Sequence, residues 1–465
     1  MRISESAFSS ERKITTYFLR KQTNAIRSFR CSVAFVTILS ICSCSSDQIV
    51  NNDDDTEGDI LSRLHELDGI TVVELQSPHP HKRLFQIDME QHLDHNNPNG
   101  QRFTQRLYLH HVDEARPMLF APDGYDTNEY YELGGELISM LQANFISSSH
   151  RYWPGSRPDS LFDLQYLTIA QAAADHHAIV TKFKEIYQGT WLSGGVSKGG
   201  MTVIYHRRFY PHDVDATVAI SAPFKFTTAD ERFPAFLMTI GSNQDRQRVH
   251  DFQRLALERR GSLIPLFEAW FPENGYTLVF DPDESFETVV ITFQPEFWEK
   301  RLVSDIDQIP GNESTDSEIL EYLGGVESFV GYSELAIDMG APYFYQAYTE
   351  EGLEASSTAH LSDLLITDQI DVLAQFHDRG VYPVYDPTVM NDIYNWVVNS
   401  GNNIIFIYGG NDPWTAGAVE LTGATNAIKV VNPGDNHSVF INELPEPDRD
   451  LVITALERWL QLEIE

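Results

Sequence analysis

WLSGGVSKGGM, residues 191–201, crowds glycine and serine around one valine and one lysine. An apolar stretch precedes it and a helix-like stretch follows. A plain glycine-rich turn accounts for the composition. A nucleophile on a tight strand-to-helix turn accounts for the order as well. Gly195-Val196-Ser197-Lys198-Gly199 reads G-x-S-x-G, a turn so sharp that the residues around the serine must be small.

The flanking sequence has the periodicity such a turn needs. Residues 102–112 (RFTQRLYLHHV) and 116–125 (RPMLFAPDGY) read as consecutive strands, the second ending at Asp123-Gly124. Residues 128–142 look helical, 143–153 look like a strand leaving into a loop, and 161–187 carry Leu167, Ala170, Ala174 and Ala178 at helical spacing. The strand TWLS, the glycine turn, a helix through 201–210 and a strand at 214–223 follow. Strands alternating with helices imply a mainly parallel sheet covered on both faces. After Pro223 the pattern becomes aromatic, charged and helical; strand-like runs return at 402–410 and 427–433, and an amphipathic helix closes the chain at 448–462. The expected fold is α/β, an α/β-hydrolase with an inserted helical cap. The core is expected over 60–223 and 396–465 and the cap over 224–395.

Serine alone is a poor nucleophile and needs a base. In this fold the chain order is Ser, then Asp or Glu, then His. FIYGGNDPW ends one expected strand at Asp412, and VVNPGDNHSVF ends the next at His437. Loops after strand C-termini are where an open α/β sheet gathers its reactive groups. Ser197, Asp412 and His437 are therefore the candidate triad. Each has an ordinary reading too: Asp412 caps a turn, and a lone histidine is often structural. Asp435 is a rival acid, two residues from His437 in the same loop. With His437 as base, activity is expected to rise with pH through a histidine value near about 6.5. An oxyanion hole needs two donors. The Lys198 N–H is one; Gly124 and Tyr125, in the loop after MLFAPDGY, are candidates for the other, against an ordinary Asp-Gly turn.

The stretches QHLDHNNPNGQRFTQRLYLHH (91–111), SSSHRYWPGSRP (147–158), GGVSKGGM (194–201) with YHRRFYPHDVD (205–215), and YFYQAYTEEG (343–352) together resemble the secreted tripeptidyl aminopeptidase family of serine peptidases. That family is related to prolyl carboxypeptidase and dipeptidyl peptidase II. The likeness covers residues 85–223 well, 395–445 moderately and the cap only in patches. It implies a serine exopeptidase that releases short peptides, often after proline, from free N-termini. It carries Ser197, Asp412 and His437 over as the triad. Such an enzyme must hold an ammonium group, which a buried carboxylate does well. Glu350 and Glu351 in YTEEG are the candidates, against an exposed acidic pair. Trp414 is a candidate for packing on a proline ring, against simple core packing. A carboxylesterase or lipase of the same fold, and a non-catalytic surface protein binding peptide or glycan, are the alternatives.

The first 43 residues place Arg2, Arg12, Lys13, Arg20, Lys21, Arg27 and Arg30 ahead of a short apolar run, CSVAFVTILSIC (31–42). A basic region, a short apolar region and small residues read as an export signal. ICSCSSD (41–47) resembles a bacterial lipoprotein box, with Cys44 after Ser43 as the lipidated residue. All three cysteines lie in this segment. An acidic tether over 44–59 follows. The expected location is therefore a lipid anchor at the bacterial cell envelope, the membrane being reached only through that anchor. The chain carries 33 Lys and Arg against 68 Asp and Glu, a net charge of −35. Such a surface repels nucleic acid. Peptides are the expected partners; no metal or organic cofactor is expected, since pairs such as His110-His111 and His176-His177 lack ligand spacing.

Overall fold

Nine strands form one sheet in the order β1-β2-β3-β5-β4-β6-β7-β8-β9. The computed structural model describes residues 59–79, 82–131, 135–158, 163–367 and 370–464. The basic leader, Cys44 and all of the acidic tether except Asp59 lie outside the described residues. The strands are β1 (Ile70–Leu75), β2 (Arg83–His92), β3 (Arg102–His111), β4 (Met118–Pro122), β5 (Asn144–Ser148), β6 (Trp191–Val196), β7 (Ala216–Ile220), β8 (Ile404–Gly409) and β9 (Ile428–Asn432). From β1 through β2 and β3 to β5 the pairing is antiparallel. From β5 through β4, β6, β7 and β8 to β9 it is parallel. Every residue of β4, β5, β7 and β8 is buried, as parallel strands covered on both faces require. β1 and β2 lie ahead of the first strand expected from sequence. β1 buries only Val72, as an edge strand can. β3 and β4, consecutive in the chain, are separated in the sheet by β5, which pairs with both.

The core helices are α1 (Ile60–His65), α2 (Glu136–Leu141), α3 (Ile169–Phe183) and α4 (Lys198–Phe209). Gly135, at φ +68°, stands where α2 begins, so the helix expected across 128–142 is a short one. Thr168 caps α3 by accepting from the Gln171 N–H. The insertion carries α5 (Arg232–Leu237), α6 (Asn243–Glu258), α7 (Arg260–Glu273), α8 (Pro282–Lys300), α9 (Asp316–Val326), α10 (Glu334–Gln346) and α11 (Ala374–His377). α5 to α9 build their own apolar core around Phe252, Phe267, Phe293, Phe297, Trp298 and Leu323, while Ala341 of α10 and Phe376 of α11 pack with Phe103, Tyr152 and Trp153. The chain then returns through α12 (Pro387–Ser400) and, after β9, α13 (Glu446–Leu460).

The two faces of the sheet are covered by different helices. α2 and α13 pack with β4 to β9 on one face. α1 and α3 cover the first strands, and α4 and α12 cover β7 and β8. The expected boundary at 395/396 falls inside α12. Met390, Ile393 and Val397 of that helix pack with Val203, Ile204 and Phe406, so α12 belongs with the sheet and the cap ends before it. This is the α/β-hydrolase architecture with an inserted helical cap.

Candidate active site

Ser197 sits between the last residue of β6 and the first of α4, at φ +57° and ψ −126°. A positive φ on a non-glycine residue is strained and is held only by its surroundings. Here the Ser197 N–H donates to Ile220 O at 2.8 Å, and Met201 N–H donates to Ser197 O at 3.0 Å. A Cβ on Gly195 would stand 2.3 Å from the Gly199 carbonyl. That contact is why the turn admits only glycine there.

The edge of β7 that holds the elbow also holds the histidine loop. Ser221 Oγ donates to His437 O at 3.3 Å. Asp412 follows β8, fully buried. Its Oδ2 lies 2.9 Å from His437 Nδ1, and its Oδ1 accepts from the Trp414 N–H at 3.1 Å. The turn-capping and histidine-orienting readings of Asp412 are thus both realised, one oxygen for each. Asp435 is bonded instead by Asn432 Nδ2 at 2.7 Å. Among the described residues no hydrogen bond joins Ser197 Oγ to His437; in an empty site that contact is commonly long and tightens with substrate.

Burial alone would lower the affinity of His437 for a proton. The charges of Asp412 and Glu299, the Asp412 hydrogen bond and the charge of Glu296 outweigh it and hold the imidazole up to about 9. The histidine value near 6.5 expected from sequence is therefore corrected upward for the free enzyme. Asp412 is the largest cause of that rise, and two cap carboxylates, Glu299 and Glu296, which no local motif announces, add to it.

The oxyanion candidates separate cleanly. Lys198 is the first residue of α4, so its N–H has no acceptor within the helix. The Tyr125 N–H donates to Asp123 Oδ1 at 2.7 Å and is not free to meet an oxyanion in this structure. Gly124 lies directly on the elbow: a Cβ there would stand 2.4 Å from Lys198 Cγ and 2.7 Å from the Lys198 carbonyl carbon. Its backbone N is the candidate that remains.

The two glutamates proposed from sequence as ammonium receptors are already engaged. Glu351 ends a π-helical turn after α10 and is bonded through both oxygens to Lys198 Nζ, at 2.6 and 2.7 Å. Gln346 Oε1 accepts from the same ammonium at 2.9 Å. Glu350 Oε2 accepts the Ile169 N–H at 2.6 Å, capping α3. Burial holds the Glu350 carboxyl up to about 7. The two are not an exposed acidic pair: Glu351 is buried and bonded through both oxygens, and Glu350 is partly buried and bonded through one. Trp414 is held edge-on to Phe233, with Lys225 Nζ over its ring at 5.0 Å.

The carboxylate that does face the histidine was not foreseen. Glu299, near the end of cap helix α8, accepts from Trp414 Nε1 at 3.0 Å, and its backbone O accepts from His437 N–H at 3.3 Å. Burial and the Glu296 charge hold its carboxyl up to about 7. In sequence it is one acid in a charged helix, FQPEFWEK, 293–300, and only the docking of the cap distinguishes it.

The family model for PS-10 peptidase S37 matches residues 54–461. A prolyl tri/tetrapeptidyl aminopeptidase from Streptomyces mobaraensis is 31% identical over 409 residues, 87% of this chain and 85% of that protein. A lysosomal Pro-X carboxypeptidase from Mus musculus is 21% identical over 396 residues, 70% of this chain and 77% of that protein. The crystal structure of a proline iminopeptidase from Mycobacterium smegmatis covers 84% of this chain and 99% of its own at 12% identity, with a TM-score of 0.35. That last likeness is too weak to bear on the site.

Proposed function

Because the chain belongs to the peptidase S37 family, and so is a serine exopeptidase that releases short peptides, we propose that it cuts tri- or tetrapeptides from free N-termini, after proline, with Ser197, His437 and Asp412 as its triad. Ser197 Oγ attacks the scissile carbonyl while His437 Nε2 takes its proton. Asp412 holds the imidazole tautomer through the 2.9 Å bond to Nδ1 and stabilises the imidazolium. The oxyanion meets the backbone N–H groups of Lys198 and Gly124. His437 gives its proton to the leaving amine, and water then hydrolyses the acyl-enzyme, with His437 again as base.

The observation that carries this assignment is the common anchorage at the end of β7: Ile220 O holds the strained Ser197, and Ser221 holds the loop of the Asp412-bonded His437. The test is a peptide library with free and acetylated N-termini, its products read by mass. Release of tri- and tetrapeptides ending in proline from free peptides supports the reading. Internal cleavage of both sets, or hydrolysis of acyl esters with no peptide cleaved, sinks it.

Export and anchoring through Cys44 are part of the same proposal, supported by the basic leader and the ICSCSSD stretch. Acyl chains supply about 0.8 kcal/mol per buried CH₂, so Cys44→Ser is expected to move the protein from the membrane fraction to the soluble one.

A further inference from the structure

Cap helix α8 places a carboxylate behind the catalytic histidine, and Trp414 ties the two together. The indole Nε1 donates to Glu299 Oε2, and the Trp414 backbone N–H donates to Asp412 Oδ1. Among the described residues no hydrogen bond reaches Glu299 Oε1, and no cation stands within ion-pair distance of this carboxylate. We propose that Glu299 is the specificity-determining residue that takes the α-ammonium of the peptide substrate, and that this contact releases the proton from His437 so that it can act as base. The proposal deepens the free-N-terminus reading above and rests on it.

The charges around the histidine are unbalanced in the direction a cationic ligand corrects. From α8, Glu296 is ion-paired with Lys300, while Glu299 has no such partner. Glu327, at the end of α9, lies behind them, with the Tyr332 hydroxyl at 3.4 Å, and burial pushes its carboxyl well up. From β8, Asp412 faces Nδ1. The nearby lysines are already spoken for: Lys225, over the Trp414 ring, by Glu354 at 3.1 Å, and Lys198 by Glu351. Asp435, in the loop of His437 itself, is bonded by Asn432. Tyr343 lies near Glu299 as a neutral phenol, burial holding it well above the usual tyrosine range. When His437 is neutral, this set holds no positive charge that faces Glu299, and an α-ammonium offers that charge with three donors.

The same imbalance has a catalytic consequence. The acids around it hold His437 up to about 9, so at neutral pH it carries a proton and cannot accept one from Ser197. An ammonium bound to Glu299 cancels the nearer cap charge, and His437 gives its proton to solvent. The coupling is reciprocal: neutral His437 binds the ammonium more tightly by the factor through which the ammonium lowers its proton affinity. A blocked N-terminus therefore loses both the anchor and the activation of the base. The fit of Glu299 is to charge, so it selects a free N-terminus whatever side chain the substrate presents.

Two measurements test this. In the wild-type enzyme the acid limb of kcat/KM reports free His437, and that of the single-turnover acylation rate reports His437 with substrate bound. For a free peptide the second limb is expected at least one pH unit below the first. For a neutral acetyl ester, p-nitrophenyl acetate, the two are expected to coincide. In Glu299→Gln, kcat/KM on the free peptide is expected to fall more than tenfold, while ester hydrolysis at pH 7 rises because its acid limb has moved down. Coincident limbs with the free peptide overturn the proposal. So does a variant that loses peptide and ester activity alike with its acid limb unmoved. If Glu299→Gln does not fold, the wild-type profiles decide alone. A wild type that cuts free and acetylated peptides equally refutes the free-N-terminus reading itself. A preference for free peptides that survives in Glu299→Gln refutes only the role of Glu299.

Discussion

Lys198 Nζ lies 2.6 and 2.7 Å from the two carboxylate oxygens of Glu351, with both side chains only 3% exposed. The lysine follows the nucleophile and the glutamate belongs to the insertion, so this ion pair fastens the cap to the elbow. Burial pushes the ammonium toward losing its proton, and Glu351 opposes that. Breaking a buried pair by removing one partner costs about 3–5 kcal/mol. Glu351→Gln is therefore expected to lower stability by that order in urea denaturation and to reduce kcat through a loosened elbow. Stability and kcat both unchanged would show that the pair holds nothing in place.

Ser197→Ala is expected to lower kcat by on the order of 10⁶, as loss of a triad nucleophile does, and to abolish labelling by a fluorophosphonate. The fold should persist, because the hydrogen bonds of residue 197 recorded here run through its backbone. Labelling of the variant at wild-type rate would move the nucleophile elsewhere.

Asp412→Asn separates two effects of one carboxylate. The loss of tautomer control is expected to reduce the rate by about 10⁴. Asp412 is also the strongest of the charges raising His437. With a neutral ester as substrate, the base is active only above its own proton affinity. The wild-type acid limb should therefore lie nearer 9 than 6.5, and the variant limb should lie lower. A wild-type limb at 6.5 would contradict the electrostatics of the site.

Acid should destabilise the fold through buried histidines remote from the triad. His150, His176 and His206 lie in a row, with ring centroids about 6 Å apart. Burial lowers all three, His150 to about 3. Unfolded histidines bind protons from about pH 6.5 downward. Below pH 6.5 the unfolded chain thus holds more protons, for His150 down to about pH 3, and stability falls with pH by up to about 1.4 kcal/mol per pH unit for each histidine that stays neutral in the fold. Asp213, held low against burial by hydrogen bonds from His206 and His177, acts in the same direction. Urea midpoints should drop from pH 7 to pH 5; an equal or higher midpoint at pH 5 would refute this.

The nucleophile elbow was legible because it is local. The glycines around Ser197 record a steric demand made by atoms within five residues, Gly195 against Gly199, and the apolar runs of β4, β6, β7 and β8 record burial on both faces. Asp412 and His437 were legible because each lies in the loop that follows a strand, β8 and β9, and the end of a strand is marked by a change of composition. β1 was not, since an edge strand with one buried residue carries little apolar signal; β2, which buries Phe85, Ile87 and Met89 in alternation, does carry one. The cap boundary was misplaced because α12 looks like any amphipathic helix until the partner of its apolar face is known. The pairing of Glu351 with Lys198, the capping of α3 by Glu350 and the approach of Glu299 to His437 were decided by tertiary structure alone. Each joins groups that no local pattern pairs, most of them far apart in the chain. A carboxylate acquires a role only when folding fixes which charge it meets and how much water is left between them.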